Sequence, residues 1–468
     1  MKSQSLASTH KTHDVIVIGG GSAGYAAART ARDAGADVAI VDQGPLGGLC
    51  ILRGCMPTKA ILRSAEVAAL LRRAKEFGLY PVSVHADLSA IVDRKDRLVR
   101  EFAEYRIQQL QDPSFTLYQS QAVFRSPHEI AVGDTILSAD SFMIATGSRP
   151  SEVPIPGLAQ AGYFTSDTIL DLRTQPGSLI VLGGGAVALE IGQFFARLGT
   201  KVTILQRGRT LLSAMDEDVG RALEAALIDE GIEIVTGTQL LRVTRDTAGK
   251  TVWAMKDGRE RCYVGQEILQ ALGRQPNIEG LRLDLADVRV DGERIVVDGA
   301  MRTSQPHIYA VGDVNDVTSI VHLAIQQGEV AAYNATQVDQ PAKTIDHRLD
   351  TEVVFTDPQV AVLGLNEVRA KADKIPYLAA SYPFADHGKA LCLGVTQGFV
   401  KLLAAPQTGE ILGAQIVGPE AGELIHELIA VMYYRGTAAD LLRMPHYHPT
   451  LAEIVTYPAE SILGQLGV

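Results

Sequence analysis

VIVIGGGSAGYAAARTARDAGADVAIVDQG, residues 15 to 44, is the stretch whose reading decides the fold. Four apolar residues make a strand buried on both faces, and a glycine-rich turn follows. A helix and a second apolar strand complete the unit. Gly19, Gly21 and Gly24 occupy the G-x-G-x-x-G positions, and Asp42 closes the second strand. Asp42 stands 23 residues after Gly19, near the spacing at which a carboxylate meets a ribose hydroxyl in dinucleotide folds. Strand, helix and terminal acid agree, which a chance glycine turn would not produce.

The same pattern returns at residues 179 to 208, LIVLGGGAVALEIGQFFARLGTKVTILQRG. Gly183, Gly185 and Ala188 fill the equivalent positions, and the residue matching Asp42 is Gln206, followed by Arg207 and Arg209. An acid there would hold the 2′-hydroxyl of NAD and repel a 2′-phosphate. A glutamine beside two arginines favours NADP slightly over NAD. Two such folds in one chain imply two dinucleotides, one bound and one exchanging.

Between them lies GGLCILRGCMPTK, residues 47 to 59, with two of the four cysteines of the chain. A disulfide needs Cα atoms within about 7 Å, whereas residues five apart on a helix are roughly 8 to 9 Å apart. Cys50 and Cys55 can pair only if they straddle a helix start. Gly54 and Pro57 supply one. Cys55 is then expected at a helix N-terminus, where unpaired N–H groups and the dipole favour a thiolate, and Cys50 in the loop before it.

The composition agrees with a multidomain enzyme. At 468 residues the chain holds about three domains. Apolar residues make up 46% and charged residues 21%, an ordinary globular balance. A net charge of −11 argues against nucleic acid or an anionic membrane as partner. Four cysteines are too few for a secreted disulfide framework, so a cytoplasmic location is expected. No run approaches 18 apolar residues, and the N-terminal MKSQSLASTHKTHD is expected to be a loose polar tail.

With these residues assembled, the chain resembles the flavin-dependent pyridine nucleotide–disulfide oxidoreductases, which include dihydrolipoyl dehydrogenase, glutathione reductase and mercuric reductase. Six markers carry the resemblance in order: GGGSAG, GGLCILRGCMPTK, ATGSRP (145–150), GGGAVALE, YAVGDV (309–314) and HYHPTLAE (446–453). It implies an α/β fold of two Rossmann-like dinucleotide-binding domains and a C-terminal α+β dimerisation domain. FAD binding would span residues 1–150 and 278–346, NAD(P) binding 151–277 and dimerisation 347–468. FAD would be held by the first fold, with Asp42 on the adenosine ribose. Asp313, after Gly312, would reach the ribityl chain, and Ala145, Thr146 and Gly147 would approach the FAD closely. Gly273 lies in ALGRQPN, the exit from the second fold. Lys59 would sit near flavin N5 with Glu190 as its ion-pair partner.

The resemblance also implies the chemistry. Cys50 is the interchange thiol, and Cys55 passes two electrons to FAD and thence to NAD(P). His448, oriented by Glu453, is the base acting on the dithiol of the other subunit of a homodimer. His446 supports the local structure, and Cys262 and Cys392 are inert packing residues. No metal site is expected. Leu49, Leu52 and Arg53 depart from the usual GGTCLNVGC. Arg53 could lower thiol pKa values, contact an anionic substrate, or point to solvent. Ala186 replaces the tyrosine usual in glutathione reductases, and no cysteine follows Cys392 where mercuric reductases carry a pair. The preferred expectation is a dihydrolipoyl dehydrogenase-like enzyme acting on a lipoyl-type dithiol, free or on a carrier protein. The alternatives are an NADPH-dependent reductase of a glutathione-like disulfide, and a flavoprotein passing electrons to a metal ion or quinone.

Overall fold

The computed structural model describes residues 9–80, 83–247, 249–317 and 319–467. They form two compact units. The first comprises residues up to Pro57, Asp93–Ser151 and Gly273–Ile345, and the second Thr58–Val92, Glu152–Leu272 and the chain from Asp346 onward. Residues 58–92, assigned by sequence to the first domain, group with the second unit, and 273–277 group with the first.

The chain opens with β1 (Thr9–Ile18), α1 (Ser22–Asp33) and β2 (Val38–Val41). Then come α2 (Gly48–Leu52), α3 (Cys55–Arg73), α4 (Leu88–Leu110), β3 (Phe115–Tyr118), β4 (Ala122–Ser126), β5 (Glu129–Val132) and β6 (Thr135–Ile144). In the first unit the sheet runs β3-β2-β1-β6-β5-β4, and Ile308–Ala310 pairs parallel to β6. β1 lies parallel between β2 and β6, with Val15 opposite Val38 and Ile18 opposite Ile144. Both faces of β1 are covered, and Val15–Ile18 are buried throughout.

The polar tail expected at the N-terminus divides here. Residues 1–8 lie outside the described residues, but Thr9–Asp14 are strand, because their backbone pairs with β6 from Thr9 opposite Thr135 onward. Their side chains are polar and largely exposed, as befits an edge beyond the core, while the ladder satisfies the backbone.

The second unit contains a parallel sheet in the order Glu233–Val235, Lys201–Leu205, Ser178–Leu182, Glu267–Gln270. Helix Ala186–Leu198 follows its first strand. A three-stranded antiparallel sheet is formed by Gln239–Asp246, Gly249–Lys256 and Arg259–Gly265. Cys262 lies on the outer of these strands and is exposed. Cys392, in the short helix Gly388–Leu393, is exposed too. The expectation that both are packing residues is corrected: both are exposed.

The C-terminal part is a five-stranded sheet with Gln359–Gly364, Ile411–Gly418 and Phe399–Ala404 at its centre. Helices Ala421–Tyr433 and Thr456–Leu466 contribute Ile425, Leu428, Ala459 and Ile462 to its core, all fully buried.

Within the second unit a buried cation ties this sheet to the helix Glu217–Asp229. Lys401 is 3% exposed, and its Nζ lies 2.8 Å from both Asp216 and Asp218 and 3.3 Å from Glu367. Burial alone would raise the Asp216 carboxyl. The Lys401 ammonium and the N–H groups of Glu367 and Val368 hold it below the usual range instead. Burial would lower Lys401, but its carboxylate partners raise it. A depressed carboxylate loses its contribution only as pH falls below about 3.9, and a raised lysine only above about 10.4. The cluster therefore holds across the whole neutral range. Lys401→Met should leave Asp216 buried without its cation and lower stability by about 3 kcal/mol in denaturant unfolding.

Candidate active site

Glycine is obligatory where each first strand turns into its helix. Gly19 has φ +108°, and a β-carbon on it would lie 2.3 Å from the Ala145 carbonyl oxygen. Gly183 repeats this at φ +117°, with the Ala271 carbonyl also at 2.3 Å. Both crossings bring the glycine turn against the end of a neighbouring strand. The first helix N–H groups of α1 and of Ala186–Leu198 begin directly after the turn, and helices leave these donors without intrahelical acceptors. Gly24 and Ala188 are both buried in the first turns of those helices.

In the first unit, Asp42 accepts from the Gly20 N–H at 2.6 Å and from the Gly44 N–H at 2.7 Å. The carboxylate thus ties the glycine turn to the end of β2. Thr146 donates its hydroxyl to the Asn277 carbonyl at 2.7 Å, and Asn277 Nδ2 returns a bond to the Thr146 carbonyl at 3.1 Å. ATGSRP is thereby locked to ALGRQPN, with Ser151 N–H on the Gly273 carbonyl at 3.0 Å. Gly147 adopts φ +70° in the turn between them. Asp313, in the short 3-10 helix begun by Gly312, accepts from Ser148 Oγ at 2.6 Å. The Arg274 Nε donates to the same Ser148 oxygen at 2.9 Å.

Cys55 is the first residue of α3, where the helix dipole favours a thiolate. Cys50 is not in a loop. It sits inside the one-turn helix α2, which the Arg53 N–H closes onto the Leu49 carbonyl at 2.9 Å. The turn forms because Gly47 (φ +131°) and Gly48 (φ +76°) let the chain reverse directly before it. Both cysteines are half-buried, and Arg53 is exposed.

The remaining titratable groups lie in the second unit. Lys59 Nζ meets Glu190 Oε1 at 3.1 Å and Oε2 at 2.9 Å. Glu190 is 3% exposed. Its Oε1 also accepts the Phe355 N–H at 2.9 Å, and Lys59 Nζ sits 4.4 Å from the centre of the Phe355 ring. A carboxylate buried this deeply requires such compensation. Phe355 gave no sequence signal, because it lies far along the chain and contributes its backbone.

His448 Nδ1 lies 2.8 Å from Glu453 Oε1, and the Thr450 N–H donates to Oε2 at 2.7 Å. The Thr450 amide, seconded by His448, holds the Glu453 carboxyl below the usual carboxylate range. An ionised carboxylate only accepts, so His448 Nδ1 carries the proton and neutral Nε2 keeps its lone pair. The His448 side chain is 81% exposed, which leaves Nε2 open to a reactant. His446 is 9% exposed, with Nε2 2.7 Å from Glu427 and Nδ1 3.0 Å from the Met444 carbonyl. Both its nitrogens are engaged locally.

On the second dinucleotide fold, Gln206 turns into its own loop. Its Oε1 accepts the Arg207 N–H at 3.1 Å, and its Nε2 donates to the Thr210 carbonyl at 3.3 Å. Arg207 and Arg209 are exposed on the rim, and Gly185 is exposed at the helix start.

Asp42→Ala should leave the Gly20 and Gly44 donors without their acceptor, at about 1–3 kcal/mol for a buried donor. A lower unfolding midpoint, together with less flavin retained after desalting, is the outcome that checks this.

The pyridine nucleotide-disulphide oxidoreductase model matches residues 13–328, and the dimerisation-domain model of the same family matches 351–459. A dihydrolipoyl dehydrogenase of Thermus scotoductus is 36% identical over 97% of this chain and 98% of its own. A mercuric reductase of Staphylococcus aureus is 32% identical over 94% of this chain and 81% of its own. Among solved structures, the HOCl-induced flavoprotein disulfide reductase RclA from Escherichia coli superposes with a TM-score of 0.84. It is 25% identical, over 96% of this chain and 99% of its own. Paired dinucleotide crossings, the cysteine-bearing helix start and these matches lead to one conclusion: the chain belongs to the FAD-dependent pyridine nucleotide–disulphide oxidoreductases.

Proposed function

We propose that this oxidoreductase moves two electrons between a lipoyl-type dithiol and NAD(P) through Cys50, Cys55 and FAD. The observation that carries the reading is the His448–Glu453 pair, whose tautomer leaves Nε2 free to take a thiol proton. Dithiol chemistry needs that base, whereas electron transfer to a metal ion or quinone does not.

The first unit suits FAD on its own geometry. The turn at Gly19 excludes a β-carbon and exposes the start of α1, as a close approach to a pyrophosphate requires. Gly21, Gly24, Asp42, Ala145, Thr146, Gly147, Gly312 and Asp313 would hold the cofactor, which supplies two-electron redox capacity when bound. Gly183, Gly185, Ala188, Gln206, Arg207 and Gly273 would serve the nicotinamide dinucleotide. By the family resemblance, Lys59, held in its ion pair with Glu190, would be the lysine near flavin N5.

In the dithiol-oxidising direction, His448 Nε2 takes a proton from one substrate thiol. The resulting thiolate attacks Cys50 Sγ of the Cys50–Cys55 disulfide, and the S–S bond breaks with its electron pair leaving on Cys55. The helix start stabilises that thiolate. The second substrate thiol then attacks the mixed disulfide, releasing oxidised substrate and the Cys50 thiol. His448 would act on the dithiol of the other subunit of a homodimer, and the matched dimerisation domain supports this arrangement. A cytoplasmic location, where thiols stay reduced, suits this chemistry.

Exposed Arg207 and Arg209 beside Gln206 support NADP over NAD. The second reading, electron delivery to a metal ion, is favoured by the mercuric reductases among the relatives and by a Cu(II) complex of RclA. Among the described residues no group of three or more His, Cys, Asp or Glu is placed to hold a metal.

Dihydrolipoamide oxidation should collapse by at least about a hundredfold in His448→Gln, with flavin retained. Cys50→Ser should abolish it, and turnover surviving that change would favour the metal reading. Arg207→Ala with Arg209→Ala should cut kcat/KM for the NADP couple about tenfold while sparing NAD.

A further inference from the structure

Helix Ala186–Leu198 does more than follow the second glycine turn. Three of its side chains, Glu190, Gln193 and Arg197, fall at i, i+3 and i+7, which places them on one helix face. All three are buried, Gln193 most deeply at 2% exposure. That face meets Phe355, Thr356, Asp357 and Pro358, where strand Thr351–Val354 has ended and the chain bends outside any strand or helix. Backbone groups in such a bend must find their partners elsewhere.

The helix supplies them. Glu190 Oε1 accepts the Phe355 N–H at 2.9 Å. Gln193 Oε1 accepts the Asp357 N–H at 2.8 Å, and its Nε2 donates to the Asp357 carbonyl at 2.7 Å. The same Nε2 donates to Glu230 Oε1 at 3.1 Å. Arg197 Nη2 donates to the Asp357 carboxylate at 2.8 Å and its Nε to Glu230 at 2.9 Å. These residues and Lys59 all belong to the second unit. The Gln193 carboxamide does what neither charged neighbour can, since it accepts and donates on one residue. Phe355 stands two residues earlier, with its amide on Glu190 and its ring centre 4.4 Å from Lys59 Nζ.

We infer that Gln193 is the positioning residue for the Lys59–Glu190 pair. It fixes the bend from which Phe355 gives Glu190 a backbone donor and Lys59 an aromatic face, so the ammonium is held in one place. Its bearing on the flavin rests on the reading of Lys59 as the lysine near flavin N5. A cation held there favours the negative charge gained on reduction.

Amide hydrogen exchange, read by mass spectrometry on peptides covering residues 351–360, measures the bend directly. In the FAD-loaded wild type the Phe355 and Asp357 amides should be protected as strand amides are, which needs no variant to fold. Gln193→Met keeps the chain length, removes the hydrogen bonds and should speed exchange in the bend about tenfold. The flavin potential is read in enzyme carrying Cys50→Ser and Cys55→Ser, so that the flavin is the sole two-electron centre titrated. There Gln193→Met should weaken reduction about tenfold, roughly 30 mV for a two-electron couple. Lys59→Met should lower the potential as well. Adding Gln193→Met to Lys59→Met should lower it no further, because Gln193 acts through Lys59. A bend unprotected in the wild type, or exchange unmoved by Gln193→Met, would overturn the assignment. So would a Gln193→Met shift that persists in full without Lys59, or none where Lys59→Met gives one. A potential unmoved by Lys59→Met would instead remove Lys59 from the flavin reading, and exchange in the bend would then decide the clamp by itself.

Discussion

The structure depends on one steric constraint used twice. Where β1 ends at Gly19, the chain passes so close to Ala145 that only a glycine fits, and Gly183 does the same beside Ala271. These contacts draw each glycine turn against the end of a parallel strand. The helix that follows is thereby aimed with its bare N–H groups across the sheet edge, the geometry that receives a dinucleotide phosphate. Asp42 then fastens the first turn to β2 through two backbone donors. Without that close passage neither the carboxylate nor the helix start would be in position.

Buried charge is handled in two different ways. Lys401 is satisfied outright by Asp216, Asp218 and Glu367. Lys59 and Glu190 are satisfied by each other, by a backbone amide and by an aromatic face.

Exposure separates the two histidines of HYHPTLAE. His446 spends both nitrogens on its own neighbourhood, while His448 spends one and presents the other. The difference follows from Glu427, upstream of the motif, and Glu453, its last residue, which pin different rings. The pair of carboxylates leaves one ring with both nitrogens engaged and the other with Nε2 open.

Local rules were enough for much of this protein. Buried strands, glycine turns and the helix start at Cys55 all depend on residues a few positions apart, so periodicity and steric requirement wrote them directly into the sequence, whereas the HPTxxE motif was legible through its family resemblance. Cys50 was misread as loop because a single helical turn has too few residues for a period, and Cys262 and Cys392 were misread as packing residues because a lone apolar residue carries no signal of its exposure. The Phe355 amide on Glu190, the tie between Thr146 and Asn277 and the clamp of Ser148 on Asp313 were legible only in three dimensions. Each joins residues 131 to 165 positions apart. The sequence alone determined where the chain must turn and, through the family resemblance, which side chains are candidates for the chemistry. Tertiary structure decided which of those side chains are paired, enclosed or open, because desolvation and hydrogen-bond satisfaction depend on neighbours that only folding supplies.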